Sequence, residues 1–71
     1  MQPRFLSLAD VTEILQVPMS TVRALVKSGE LRAIQVGGKG TWRVERAEFE
    51  AYIERCYAQT DARIADSADV D

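Results

Sequence analysis

The chain has 71 residues, 46% of them hydrophobic and 28% charged, which is the composition of one small folded domain. It contains no histidine and a single cysteine, Cys56, which excludes an internal disulfide, an ordinary zinc site and histidine acid–base chemistry. The net charge of −2 and isoelectric point near 5.0 argue, taken as totals, against a nucleic-acid partner.

A domain of this size buries only about 60% of its unfolded surface, which leaves little room for an enclosed reaction cavity beside the core. No enzyme, metal site or cofactor is expected. The run Gly37-Gly38-Lys39-Gly40 is too short for a nucleotide-binding loop, and it does not lead into a helix. No apolar run has the length of a membrane helix. The start, MQPRFLSLAD, lacks the basic end and apolar centre of a signal peptide. A reducing cytoplasm is the expected location.

Residues 1–6 are predicted to form a frayed arm, held to the core by Phe5 with Leu6 beside it. Ser7 fits a helix N-cap, with Asp10 as its capping-box partner. The first helix is predicted over 8–15 or 8–16, with Leu8, Val11, Ile14 and Leu15 as one buried stripe. Pro18 ends it, because the residue before a proline is pushed out of the α region. Val17 is then an apolar plug between two helices. The second helix is predicted from 19 or 20 to 27, with Val22, Leu25 and Val26 turned inward and Gly29 as its stop. Two short helices joined by three or four residues make a helix-turn-helix.

Residues 31–36 have the β-branched composition of a strand, with Ile34 and Val36 on one face. The glycine-rich run 37–40 is a turn, and 41–44 is the returning strand. Trp42 and Val44 alternate with Arg43. Two roles are open to Trp42: packing beneath the hairpin in phase with Val44, which the alternation favours, or stacking on a base. A third helix starts at Glu45 or Arg46 and carries Phe49, Tyr52 and Ile53, with Cys56 or Tyr57, at helical spacing. Beyond about residue 58 apolar content falls and aspartate accumulates. The helix is predicted to continue for a turn or two before a disordered end. The expected fold is mainly α with a small β-hairpin: a winged helix-turn-helix over 7–58, ordered helix, helix, hairpin wing, helix. An acidic tail follows over 59–71.

The distribution of charge points the opposite way from the total. From Pro18 to Val44 the charged residues are Arg23, Lys27, Arg32, Lys39 and Arg43, against Glu30 alone. From Gln59 to Asp71 they are Asp61, Asp66, Asp69 and Asp71, against Arg63 alone. An acidic end conceals a basic middle. On the second helix, Ser20, Thr21, Arg23, Ala24 and Lys27 occupy positions left free by the buried stripe, as a recognition helix requires. Ser20 and Thr21 lie at the helix N-terminus, where they serve as caps, phosphate ligands or both. Arg23 is placed to reach a guanine edge, Lys27 a phosphate, and Ala24 a thymine methyl. In the hairpin, Lys39, Thr41 and Arg43 are the wing contacts, with Arg32 as a further backbone contact.

The segments LSLADVTEIL, VPMSTVRALVKSGEL, GGKGTWRV and ERAEFEAYI occur in the order found in small winged helix-turn-helix domains. From Phe5 to Tyr57 the chain resembles those of the excisionase and MerR-like group. The resemblance implies double-stranded DNA binding without catalysis, through Ser20, Thr21, Arg23 and Lys27 in the helix and Lys39 and Arg43 in the wing. It leaves two roles open, a small transcriptional regulator and a recombination directionality factor that bends DNA for an integrase. A protein-interaction module that keeps the fold without binding DNA is the alternative of another class. Several copies on adjacent sites are the expected mode of binding. The departures are Pro18 at the cap position, where Ser or Asp is usual, and the absence of the long dimerisation helix and effector domain of full MerR regulators. No small-molecule effector is therefore expected.

Overall fold

A computed structural model describes residues 3–38 and 40–66. The order of elements is β1 (Phe5–Ser7), α1 (Leu8–Leu15), α2 (Met19–Ser28), β2 (Ile34–Val36), β3 (Thr41–Glu45) and α3 (Arg46–Asp66). The three strands form an antiparallel sheet in the order β1-β3-β2. This is a mainly helical winged helix-turn-helix, as the sequence predicts.

α1 starts where its chemistry places it. Ser7 is extended, its hydroxyl accepts the Asp10 N–H at 3.0 Å, and the Asp10 carboxylate accepts the Ser7 N–H at 3.0 Å. Two otherwise orphaned donors are thereby satisfied. At its other end Gln16 adopts φ 57°, ψ 49°, and its N–H donates to the Thr12 carbonyl at 2.8 Å. A left-handed glutamine carries a steric cost, and the turn into Pro18 requires it. α2 stops at Gly29, φ 84°, where left-handed geometry is free of that cost.

Among the described residues four side chains are fully buried: Val11 of α1, Val22 of α2, Val44 of β3 and Leu31 from the loop between α2 and β2. Leu6, Leu8 and Phe49 complete the core. Leu31 is drawn in as its N–H donates to the Leu25 carbonyl at 3.1 Å, and Arg55 Nη2 of α3 donates to the neighbouring Glu30 carbonyl at 3.0 Å.

Several expectations need correction. The arm over 1–6 ends in a strand, since Leu6 pairs with Val44 and Phe5 with Glu45. Leu6 is the buried anchor and Phe5 is partly exposed. Alternation across a strand explains the exchange, because only one of two neighbours can face the core. Ile14 is half exposed, since the buried face of a helix this short is centred on Val11. The strand predicted over 31–36 spans only Ile34–Val36. Ile34 pairs with Arg43, and Val36 with Thr41, so both lie on the sheet's outer face and are about half exposed.

α3 continues to Asp66, the turn or two past residue 58 that the sequence predicts. Residues 59–66, expected from sequence to begin the acidic tail, are helical; 67–71 lie outside the described residues. Ala58, Gln59, Ala62, Arg63 and Ala65 are strong helix formers, and the packed first half of α3 supplies the nucleus. Loss of the apolar stripe signals loss of packing, not of helix. The free end of α3 raises the radius of gyration to 14.2 Å, against roughly 11 Å for a compact chain of this length.

These placements separate two neighbouring apolar residues. Leu31→Ala is expected to cost about 2–5 kcal/mol in urea unfolding, as for a filled core site. Ile34→Ala is expected to cost less than about 1 kcal/mol. Equal losses would contradict the outward position of Ile34.

Candidate nucleic-acid interface

The surface of α2 follows from the burial of Val22. At about 100° per residue, Ser20 and Ala24 lie within about 20° of the direction opposite Val22, Lys27 within about 40°, and Arg23 and Thr21 about 80° to either side. All five are exposed. The two flanks meet different surroundings. Arg23 and Lys27 border a crevice floored by Leu8, Val26 and Trp42. Arg23 also borders an adjoining open crevice of about 300 Å³ with Gly40, Thr41, Trp42 and Arg43. On the other flank, Thr21 borders an apolar groove of about 360 Å³ shared by Leu25, Tyr52, Ile53 and Tyr57.

Sheet topology opens the first crevice. β1 ends at Ser7, opposite Arg43, so Thr41 and Trp42 have β2 on one side and no strand on the other. Leu8 and Arg23 stand in that gap. Trp42 is half-buried and packs against the core, which decides its orientation in favour of packing; its remaining surface forms the crevice wall. Arg43 is less outward than its alternation implies. Its Nη1 donates to the Trp42 carbonyl at 2.7 Å, folding the guanidinium along the strand.

The start of α2 is open. Pro18 is its N-cap and no side chain caps the helix. The Pro18 carbonyl accepts from Thr21 N–H at 3.0 Å and Val22 N–H at 3.3 Å. The first amides, beside Ser20, therefore have no side-chain acceptor, and the positive end of the helix dipole faces outward there.

Ion pairing sorts the basic residues. Among the described residues Arg4 pairs with Glu45 at 2.8 Å and Arg32 with Glu48 at 3.7 Å. Arg23, Lys27 and Arg43 have no carboxylate within 4.0 Å among those residues. Arg32, expected from sequence to contact the DNA backbone, sits with Phe5, Ile34 and Glu48 on a different part of the surface, apart from the crevice. Lys39 lies outside the described residues. The structure thus brings Arg23, Lys27, Thr41 and Arg43 together around Trp42, with Ser20 and Ala24 on the adjoining open face. Leu8 and Gly40 are parts of the crevice that the sequence does not single out. The short reach of β1 leaves the gap that they border, and that pairing has no local signature.

A third helix packed behind a helix-turn-helix, with a hairpin beside the second helix, defines a small DNA-binding domain. The chain belongs to the helix-turn-helix domain family, whose model matches residues 5–57, and it is of the excisionase type. No curated protein and no solved structure is significantly similar to it.

The groove on the other flank contains one perturbed acid. The Tyr52 phenol is pushed up to about 12, chiefly by its hydrogen bond to Cys56 and further by burial. A folded-state value above the unfolded 10.0 contributes stability that is fully present below pH 10 and is lost as pH rises through about 12. Difference absorbance between wild type and Tyr52→Phe at 295 nm is expected to show ionisation near pH 12, moving down in Cys56→Ala. A Tyr52 midpoint near pH 10 in the wild type would contradict the contact with Cys56.

Proposed function

We propose that the protein binds double-stranded DNA sequence-specifically, with α2 in the major groove and the β2–β3 wing on the backbone, as a small transcriptional regulator. The observation that carries this reading is the grouping of Arg23, Lys27 and Arg43 around two adjoining crevices that share Arg23 and Trp42, without carboxylate partners among the described residues. A cation without an internal partner is available to phosphate, and each neutralised phosphate releases condensed counterions. The contact set is Ser20, Thr21, Arg23, Ala24 and Lys27 from α2 with Thr41 and Arg43 from the wing. Lys39, which falls between β2 and β3 in the sequence, is a further backbone contact.

The excisionase type of the domain supports a second reading of the same surface. In that role the protein is a directionality factor, bending DNA for an integrase. Neither role calls for an enzyme, a cofactor or an effector, and both place the protein in the cytoplasm at the nucleoid. A single module buries only about 600–1,000 Å² on DNA, so useful affinity requires several copies on adjacent sites.

The test is a fluorescence-anisotropy titration of the full chain with random-sequence duplexes at rising salt. The logarithm of affinity is expected to fall linearly with the logarithm of salt concentration, with a slope of about −0.9 per phosphate contacted. An absence of binding at low salt to any duplex would leave the alternative, a protein-interaction module with this fold.

A further inference from the structure

Within the DNA-binding reading, on which it rests, we infer that the crevice between α2 and β3 seats one backbone phosphate and that Arg23 is its clamp, so that base reading falls to Ser20, Ala24 and Lys27. Arg23 has the side chain best suited to a guanine edge. Its position on the helix directs it elsewhere. It lies about 80° from the outward direction of α2, on the flank that turns to the wing, whereas Ser20 and Ala24 lie within about 20° of that direction.

The crevice it enters has the chemistry of a phosphate seat. Two arginines border it from different elements, Arg23 from α2 and Arg43 from β3, with Thr41 and Gly40 completing its β3 side. Neither arginine has a carboxylate within 4.0 Å among the described residues. Arg43 is held in place by its bond to the Trp42 carbonyl, and Leu8 and Trp42 line the crevice beside it. Guanidinium forks bind a tetrahedral oxyanion bidentately, with a geometry that a point charge such as lysine lacks. The volume, about 300 Å³ and open to solvent, admits a phosphodiester. A phosphate there touches helix and wing together, which fixes the register of α2 in the groove without carrying sequence information.

The test uses the full chain and duplexes recovered by selection from a random pool, each also synthesised with neutral methylphosphonates at single backbone positions. Wild type is expected to lose about tenfold in affinity, the equivalent of one charge-assisted hydrogen bond, at one position per bound module. Arg23→Ala is expected to bind every duplex about tenfold more weakly with the ranking of sequences unchanged, and its salt slope is expected to be smaller by about 0.9. It is also expected to be insensitive to the methylphosphonate that weakens wild type. Arg23→Lys is expected to keep the salt slope, and Ala24→Val, which adds bulk on the outward face, to change the ranking. If Arg23→Ala altered preference at one base pair and left the salt slope as in wild type, the inference would be overturned while the DNA-binding reading stood. Failure of wild type to bind any duplex would overturn both.

Discussion

The packing of Val11, Val22, Leu31 and Val44 into one dry cluster is the constraint on which the remaining structure depends. Each comes from a different segment: α1, α2, the loop after α2, and β3. A domain of this size has no second core to fall back on. Burying Val22 and Val44 together fixes the rotation of α2 about its axis and its separation from the wing. Everything exposed on α2 is a consequence of that rotation. Ser20 and Ala24 face outward because Val22 faces inward, and Arg23 turns to the wing for the same reason. The placement of every exposed group on α2 is thus decided by three valines and a leucine of the core.

The same cluster explains why one tryptophan serves two functions. β3 must bury Val44, so Trp42, two residues earlier, is directed to the same side. There it meets Leu8 and the Arg23–Lys27 flank of α2. Its ring is too large to be covered by a sheet whose first strand stops at Ser7, and the uncovered part becomes a crevice wall. A core residue and a wall of the crevice are therefore one side chain. α3 shows the complementary case: its first half closes the core with Phe49, and its second half extends beyond the body with Tyr57 and Ile64 exposed.

Much of this is legible in the sequence because it is written locally. The capping box at Ser7 and Asp10, the break at Val17-Pro18, the stop at Gly29 and the inner position of Val22 each rest on residues a few positions apart. What is not legible depends on pairing across the chain. β1 is a strand only because Leu6 meets Val44, far away in sequence. Position in the chain groups Arg32 with the wing, yet Glu48 draws it to α3. The sequence leaves the end of α3 open to within a turn for a different reason. Its alanines favour helix as strongly as its aspartates suggest solvent, and only the continuity of the hydrogen-bond ladder from a packed first half decides between them.

The central claim is that DNA is met by the open face of α2 and its wing-side flank, and not by the apolar groove on the other side. The most direct measurement is an NMR titration of the isotope-labelled full chain with a selected duplex. Amide and side-chain signals of Ser20, Arg23, Ala24, Lys27, Thr41, the Trp42 indole and Arg43 are expected to shift, while those of Leu15, Leu25, Tyr52 and Tyr57 hold still. Shifts centred on Leu15, Tyr52 and Tyr57, with Arg23 and Trp42 unmoved, would contradict the account.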